Sequence, residues 1–294
     1  MKIILSPAKT LDFKTPLPDL KIKFSKILFQ DQASQIAETL KSKSKPQLKK
    51  IFNVSDAIAI LNHKRYQDML LGSENNSENR GPNDQSRPAI FSFNGPAYKS
   101  MNVFNENANE KFMKNAQEKL MILCGLYGIV RPLDKIEEYR LEMGNKFEID
   151  GNKKISNLYD FWENTLTEWI SKNYKKSKKQ KYLANLASQE YSKSIDFDFL
   201  IEKNIKIAHF NFYTDNKQAA VYSKQARGLM SRYIIENDIE DFEGLEKFDL
   251  EGYKFAHKEE LDDDGNEVEF NFKRKKPEKK VVKSAVKQGT KRKR

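Results

Sequence analysis

The sequence predicts a mixed α/β (α+β) fold in one compact domain, built from short strands that end in polar loops. Short apolar runs, such as residues 2–5 and 182–186, alternate with stretches of helical periodicity. Each run is followed by small, polar or charged residues, and strand ends of this kind often carry the sites of α/β proteins. The 294 residues include 19 Phe and 12 Tyr, which provide for a sizeable core although only 38% of the chain is hydrophobic.

The cysteine content and the apolar runs exclude several classes of protein. Cys124 is the single cysteine, which excludes an intramolecular disulfide and a cysteine-based metal cluster and fits a reducing compartment. The first apolar run is too short for a signal peptide, and no run approaches the roughly 20 apolar residues of a membrane span. We therefore expect a cytoplasmic protein without a membrane partner, and the basic tail leaves a nuclear location open for a eukaryotic source.

Charge is distributed unevenly along the chain, whose net charge is +11. Residues 273–294 carry 12 basic side chains and one acid, and residues 236–270 carry 15 acids and 3 lysines. Residues 1–235 carry 38 basic and 26 acidic groups. The basic body and the basic tail are separate features that can each meet a polyanion, so double-stranded DNA or another polyanion is the expected partner.

The first half of the chain is predicted to hold two strands and four helices. The strands are residues 2–5 and 88–93. Apolar periodicity predicts helices over residues 24–41, 46–52, 57–66 and 105–119. Residues 72–87 are rich in Ser, Asn, Glu, Gly and Pro, so they are predicted to be a mobile insert.

The second half begins with an apolar run at 120–123, which is predicted to enter a loop bracketed by Gly125 and Gly128. Strands are predicted over 182–186, 205–212, 219–222, 248–255 and 268–272, with a hairpin across 205–222 and a turn at 262–266. Helices are predicted over 155–173 and 224–236. The predicted domain covers residues 1–272, and residues 273–294 are predicted to be a disordered basic tail because almost none of them is apolar.

Polar residues near the strand ends and in the loops are the candidates for a site, because such residues can converge and receive an anion. The candidate anion-binding or nucleic-acid-binding residues are Lys9, Tyr98, Lys99, Gly125, Tyr127, Gly128, Arg131, Arg140, Ser188, Lys224 and Arg227. Glu142 and Glu190 are the candidate general acid or base. A ligand-binding loop and a structural turn remain alternatives for the stretch at 123–144, which includes the glycine loop at 125–128. Composition alone favours an exposed loop lysine at Lys9.

Metal and redox chemistry have little support in the sequence. Three scattered histidines and one cysteine offer no paired ligand spacing, so neither a metal site nor a cofactor is predicted, and iron sequestration by the protein itself is disfavoured. Cys124 would sense peroxide only as an exposed thiol of low pKa. Its place in an apolar run favours a buried structural residue instead.

Seven blocks of the sequence, in order and in approximate spacing, resemble the YaaA family of peroxide-stress-resistance proteins. They are SPAKTLD at 6–12, GLYG at 125–128, RPLD at 131–134, YRLEMG at 139–144, LYDFW at 158–162, NLASQEY at 185–191 and ARGLM at 226–230. Together they cover about residues 1–272. The resemblance implies a compact, unusual YaaA-type fold and a cytosolic role in surviving hydrogen peroxide, linked to limiting unincorporated iron.

The resemblance also implies DNA binding through a positively charged cleft and a helix-hairpin-helix-like element. The loop at 125–128 is the candidate for that element here, although the residue pattern itself predicts a strand entering the loop. Three features depart from the family pattern. Asn94, Gly95 and Pro96 stand where members commonly have Gly-Asp, so no carboxylate lies there. The insert is longer than usual, and the basic tail is an addition.

Two functions follow from the sequence. The first is a DNA-binding protein of the peroxide stress response, without turnover, that contacts phosphates and has no sequence preference. The alternative is an enzyme that acts on a nucleotide, nucleobase or sugar-phosphate in a basic cleft, with Glu142 or Glu190 as its acid or base. A monomer is expected, although the sequence does not fix the oligomeric state.

Overall fold

A seven-stranded sheet surrounded by helices confirms the mixed α/β fold that the sequence predicts. The computed structural model describes residues 1–71, 85–149, 155–174 and 179–276. Most of the predicted insert at 72–87 and the tail from residue 277 onwards lie outside the described residues. In the described ranges no helix is long and apolar enough to cross a membrane.

The strands form one large sheet and one small one. Their bounds are β1 Lys2–Leu5, β2 Arg87–Pro88, β3 Leu120–Cys124, β4 Gly128–Val130, β5 Lys135–Ile136, β6 Lys181–Leu186, β7 Ile205–Thr214, β8 Lys254–Glu260 and β9 Glu267–Arg274. The order in the large sheet is β4-β3-β1-β6-β7-β9-β8, and β2 pairs with β5. The neighbours from β3 to β9 are parallel, whereas β4 and β8 are antiparallel at the two edges.

Helices of very different length connect and cover these strands. They are α1 Gln30–Lys41, α2 Lys45–Phe52, α3 Asp56–Asp68, α4 Ala89–Ser92, α5 Pro96–Met101, α6 Glu110–Lys119, α7 Leu158–Trp162, α8 Thr165–Lys172, α9 Gln189–Ser192, α10 Phe197–Glu202, α11 Ala220–Glu236 and α12 Phe242–Glu246. The predictions for α2 and α3 are confirmed. Helix α1 begins only at Gln30 and α6 only at Glu110, later than predicted.

Burial explains why the central strands are recognisable in the sequence. Strand β1 lies between β3 and β6, and Ile3 and Ile4 are fully buried. All five residues of β3 are buried as well. Parallel strands that are covered on both faces form continuous apolar runs, as β3 does, whereas β7 alternates between buried and half-buried residues. The strands predicted at 2–5, 120–123, 182–186 and 205–212 are confirmed.

Three predicted elements are wrong. The strand predicted over 88–93 is replaced by the short helix α4 at Ala89–Ser92, because a short, mainly apolar run fits a buried helix as well as a strand. Residues 219–222 belong to the start of α11, and β7 pairs in parallel with β6 and β9 rather than in a hairpin. The helix predicted over 155–173 is divided at Glu163, whose φ of +40° is not helical.

The last part of the sheet also differs in its boundaries. A 3-10 helix occupies Leu250–Gly252, and β8 begins only at Lys254. Strand β9 continues to Arg274, two residues beyond the predicted end of the domain. The Arg274 guanidinium is buried over the ring of Tyr253, 4.4 Å from its centroid, which explains why the strand extends into the basic segment. The predicted hairpin turn between β8 and β9 is confirmed.

The order of the parallel strands creates a switch point beside β1. The chain first places β3 on one side of β1, and then places β6, β7 and β9 in turn on the other side. In open α/β sheets the loops that leave two such neighbouring strands diverge, and a crevice forms beyond their carboxyl ends. In this sheet the crevice is expected between the ends of β1 and β6, where the chain continues with Ser6 and Ala187.

Candidate functional site

A cavity of about 410 Å³ lies at this switch point, and we call it the switch-point cavity. Its walls come from four segments that follow or face the ends of β1 and β6. They are residues 5–10 after β1, residues 186–191 after β6, the entry to α5 at 94–99, and the side of α11 that carries Lys224 and Arg227. The cavity therefore gathers residues that are far apart in the sequence.

Hydroxyl groups join the segments that form the floor of the cavity. Ser6 accepts a hydrogen bond at Oγ from the Ser188 backbone N–H, at 2.8 Å, and donates to Ser188 Oγ at 3.1 Å. The Tyr98 hydroxyl donates to the Ser6 carbonyl at 2.9 Å. Burial raises the pKa of Tyr98 well above its usual value, so the hydroxyl keeps its proton and remains a donor. These bonds fix the loops after β1 and β6 and the helix α5 relative to one another.

Helices α5 and α11 meet at Gly228, next to Arg227. A Cβ atom at Gly228 would lie 1.9 Å from the Ala97 carbonyl oxygen, so only glycine permits this approach. The close contact between the helices brings Arg227 to the cavity beside α5, and Lys224 lies one turn earlier on the same side of α11.

The cavity carries more positive than negative charge. Lys9, Lys99, Lys224 and Arg227 line it, whereas Glu190 is the one carboxylate among the described residues that line it. Within the described part of the chain, no carboxylate pairs with Lys99, Lys224 or Arg227. Arg227 is half-buried, and the loss of solvent lowers the pKa of its guanidinium. A partly desolvated cation without a carboxylate partner is suited to bind an anion that comes from outside the chain.

The two candidate carboxylates, Glu142 and Glu190, differ in their surroundings. Glu190 lines the cavity and accepts the Gly144 backbone N–H at 3.0 Å. Glu142 lies beside the cavity, where it pairs with Lys9 and with Arg140, whose Nη2 is 2.6 Å from Glu142 Oε1. Arg140 and Lys9 are therefore bound to an internal carboxylate, and Glu190 is the candidate acid or base that faces the open volume.

The glycine loop at 125–128 and Arg131 lie outside the cavity. Strands β3 and β4 flank the loop, so a helix-hairpin-helix assignment at this position is wrong. Tyr127 is buried, and its hydroxyl accepts the Glu137 N–H at 3.1 Å. A Cβ at Gly128, where φ is +69°, would lie 2.8 Å from the Trp162 ring, so this glycine permits tight packing. The loop has the properties of the structural turn that the sequence analysis left as an alternative.

Arg131 has an internal partner instead of a free guanidinium. Its Nη2 lies 2.9 Å and its Nε 3.1 Å from Oδ1 of the buried Asp134, and its Nη2 also donates to the Lys26 carbonyl. This pairing anchors the turn after β4. We leave Arg131 and the 125–128 loop out of the proposed site.

Cys124 is buried and unsuited to react with peroxide. Its Sγ lies 2.9 Å from the Tyr139 hydroxyl. Desolvation raises the pKa of the thiol to about 11, so the reactive thiolate is scarce at neutral pH. The structural reading of Cys124 agrees with this geometry. In the described residues no group of three or more His, Cys, Asp or Glu side chains is placed to hold a metal ion.

A second feature lies on the surface, where two helices are joined by a tight hairpin. Helix α2 ends at Phe52, Asn53 takes a left-handed φ of +48°, and α3 begins at Asp56 after the N-cap Ser55. Sequence analysis predicts both helices but not their combination as a helix-hairpin-helix unit. The available signal is the short Asn53–Ser55 connection, because so few residues between two helices favour antiparallel packing.

Sequence reasoning also misses part of the cavity. Ser6 and Tyr191 line it without having been candidates, and so do Asn94, Gly95 and Pro96. Ser6 directly follows β1, so the same strand-end signal that identifies Lys9 would have found it.

Comparison with known proteins agrees with this arrangement of motifs. The family model described as peroxide stress protein YaaA matches residues 1–259. The chain belongs to the YaaA family. A UPF0246 protein of Marinomonas sp. (strain MWYL1) is 38% identical over 265 residues, which cover 87% of this chain and 92% of that relative. A UPF0246 protein of Saccharophagus degradans is 36% identical over 275 residues, covering 93% of this chain and 100% of the relative.

Membership of the YaaA family supports a role in oxidative stress. Five of the seven motifs that carry the resemblance fall into two groups in the structure. The blocks at 6–12, 185–191 and 226–230 contribute to the switch-point cavity. The blocks at 125–128 and 158–162 meet in the core, where Trp162 Nε1 donates to the Gly125 carbonyl at 3.1 Å. One group of YaaA motifs thus supplies the cavity, and the other supports the sheet edge.

Proposed function

We propose that the chain acts in the peroxide stress response by binding double-stranded DNA without sequence preference, through the α2–α3 helix-hairpin-helix unit. The observation that carries the proposal is the hairpin itself, which presents the start of a 13-residue helix at an exposed, lysine-rich surface. Bound along DNA, the protein would shield the molecule that iron and peroxide damage together. This connects the proposal with the link to unincorporated iron that the resemblance implies.

The hairpin offers two kinds of phosphate contact. The first backbone N–H groups of α3 have no intrahelical acceptor, and the Ser55 side chain makes no capping hydrogen bond to them. Backbone N–H groups at a helix start bind phosphate oxygens and carry no sequence information. Lys49 and Lys50 in the last turn of α2 add positive charge next to the hairpin.

Asp56 is an internal competitor for the same surface. It is the first residue of α3, and its carboxylate lies 2.9 Å from Lys49 Nζ. A phosphate at the hairpin would meet this carboxylate, so removing the negative charge should strengthen DNA binding. A protein that does not use the hairpin would respond to this change no more than to the loss of an acidic side chain elsewhere on its surface.

The test is duplex-DNA binding by fluorescence anisotropy over a salt series. The samples are the full chain, a chain that ends at Lys276, and that shorter chain with Lys49→Gln and Lys50→Gln. If both lysines contact phosphates, the log–log salt slope should fall by about 1.8, and affinity at 0.15 M salt should fall by about 30-fold. Asp56→Asn should raise the affinity.

The control is a pair of lysine substitutions at exposed positions away from the hairpin. Lys203→Gln with Lys247→Gln removes the same charge from exposed positions away from the hairpin and should leave the salt slope nearly unchanged. If the chain ending at Lys276 does not bind DNA, the affinity belongs to the basic tail as simple polyelectrolyte attraction, and the proposal is wrong.

A further inference from the structure

We propose that the switch-point cavity binds a small phosphate monoester of about the size of a nucleoside monophosphate, with Arg227, Lys224 and Lys99 around its phosphate. This site is separate from the α2–α3 unit, and the inference does not depend on DNA binding. It gives a chemical class to the ligand of the basic cavity, for which the sequence allows a nucleotide, a nucleobase or a sugar-phosphate.

The switch-point cavity has an excess of positive charge. Of the four cations that line the cavity, Lys9 is paired with Glu142. The other three, Lys99, Lys224 and Arg227, have no carboxylate partner in the described part of the chain. The lining carboxylate Glu190 already accepts the Gly144 N–H. An unoccupied cavity thus carries an excess of positive charge, which a bound anion would neutralise.

Arg227 lowers the stability of the fold unless an anion binds its guanidinium. Its guanidinium has lost part of its hydration, yet no carboxylate compensates for this in the described residues. Gly228 holds α11 so close to α5 that the arginine cannot move away with its helix. Uncompensated cations of this kind recur in sites for phosphate, because guanidinium groups match phosphate oxygens in geometry as well as in charge.

The form of the cavity selects a small monoester over a strand of DNA. Its volume of about 410 Å³ falls within the range of about 300–1,000 Å³ that is usual for small-molecule sites. Pro7, Ala8 and Pro96 offer apolar surface for an organic group beside the Ser6 and Ser188 hydroxyls. A monoester carries nearly two negative charges at neutral pH, because its second pKa is about 6, whereas each phosphodiester of DNA carries one. Three unpaired cations suit the more highly charged group.

Isothermal titration calorimetry of the full chain at 0.15 M salt tests the proposal directly. The probes are adenosine 5′-monophosphate, ribose 5-phosphate, inorganic phosphate and adenosine. We expect the nucleotide to bind, inorganic phosphate to bind more weakly, and adenosine not to bind. Equal binding of the nucleotide and adenosine would overturn the proposal, and so would the absence of binding by every phosphate compound.

Arg227→Met separates a ligand-binding role from a structural one. Without ligand the variant should melt at a higher temperature than the wild type, because an uncompensated cation is replaced by an apolar side chain. Its affinity for adenosine 5′-monophosphate should fall at least about tenfold. Lys247→Gln, which removes an exposed charge away from the cavity, is the matched control and should change neither value. A variant that binds the nucleotide as the wild type does would overturn the assignment.

The two proposals fail independently of each other. The Lys49→Gln, Lys50→Gln chain should keep its nucleotide affinity, and Arg227→Met should keep its DNA affinity at the α2–α3 unit. Nucleotide binding that disappears with the α2 lysines would place the ligand on the DNA-binding surface and overturn the cavity site.

Discussion

Two arginines on α11 occupy opposite situations only five residues apart. The guanidinium of Arg232 donates to the Met101 carbonyl at 2.7 Å, to the Asn102 carbonyl at 3.0 Å and to Glu236 Oε2 at 3.0 Å. Arg227 faces the switch-point cavity without a carboxylate partner among the residues that the structure describes. Arg232 thus links α11 to the segment after α5, whereas the guanidinium of Arg227 is available to a ligand in the cavity.

The difference shows that residue type and burial do not distinguish a structural cation from a binding one. Both arginines are at least partly buried and belong to the same helix. What distinguishes them is whether acceptors of the chain itself occupy the guanidinium. A satisfied charge stabilises the fold, whereas an unsatisfied one costs stability and can be retained for a ligand.

The largest effect is expected at Gly228, between the two arginines. Gly228→Ala would place Cβ 1.9 Å from the Ala97 carbonyl oxygen and force α11 away from α5. This movement would disturb both the hydrogen bonds of Arg232 and the position of Arg227 at the cavity. We expect a loss of about 4 kcal/mol in the free energy of unfolding, measured by urea denaturation. Gly252→Ala, where φ is +78° and nothing lies within 4 Å, should cost only about 1 kcal/mol. Equal losses would mean that the helix contact is not tight.

Arg232→Met tests the structural end of the comparison. Removing the guanidinium leaves two carbonyl groups and Glu236 without their partner, and we expect a loss of about 3 kcal/mol in the free energy of unfolding. Arg227→Met should change stability in the opposite direction. If both substitutions lowered the melting temperature alike, the distinction between the two arginines would be wrong.

Arg131→Gln extends the comparison to a third arginine. Its partner Asp134 is fully buried but would keep the Ser25 hydroxyl at 2.6 Å and the Arg131 backbone N–H at 2.8 Å. We therefore expect a smaller loss of about 2 kcal/mol in the free energy of unfolding. The DNA affinity of this variant should stay that of the wild type, and a marked decrease in anisotropy titrations would return Arg131 to the list of phosphate ligands.

Asp12 is a carboxylate near the surface that accepts three hydrogen bonds from its own loop. Its substitution is expected to change the stability least. The Thr15 hydroxyl and the backbone N–H groups of Thr15 and Lys14 lower the pKa of Asp12 from 3.8 to about 2. The charged form is favoured in the folded state, so its stabilisation is present above pH 3.8 and is lost as the pH falls towards 2. As the pH falls from 3.8 towards 2, the melting temperature of the wild type should decrease slightly more than that of Asp12→Asn. Parallel curves would contradict the shift.

Local patterns predict the elements of this fold better than they predict its site. The central strands are evident because burial on both faces makes them continuous apolar runs. The same rule fails for residues 88–93, most of which form the helix α4, and for the short apolar run at 219–222, which leads into α11. In both cases the tertiary surroundings decide between two conformations that the local pattern allows.

The site could be predicted only as a set of candidates. Lys9, Ser188 and Glu190 meet in one cavity, as strand-end reasoning suggests. The candidates Lys99, Lys224 and Arg227 join them from the helices α5 and α11. Which of them remain available depends on partners far away in the chain, such as Glu142 for Lys9. Arg131 and Arg227 are equally plausible ligands in the sequence, and only the position of each relative to the fold shows that one is occupied and the other is not.

The strand order also bears on how the protein folds during its synthesis. Strand β1 is made well before both of its partners, since Ile4 pairs with Met121 on one side and with Asn185 on the other. Strand β1 therefore lacks both neighbours until β3 has been made, and it lacks one of them until β6 has been made. Long-range pairing of this kind slows folding and exposes nascent chains to aggregation. We accordingly expect newly made chains to depend on chaperones until β6 has emerged.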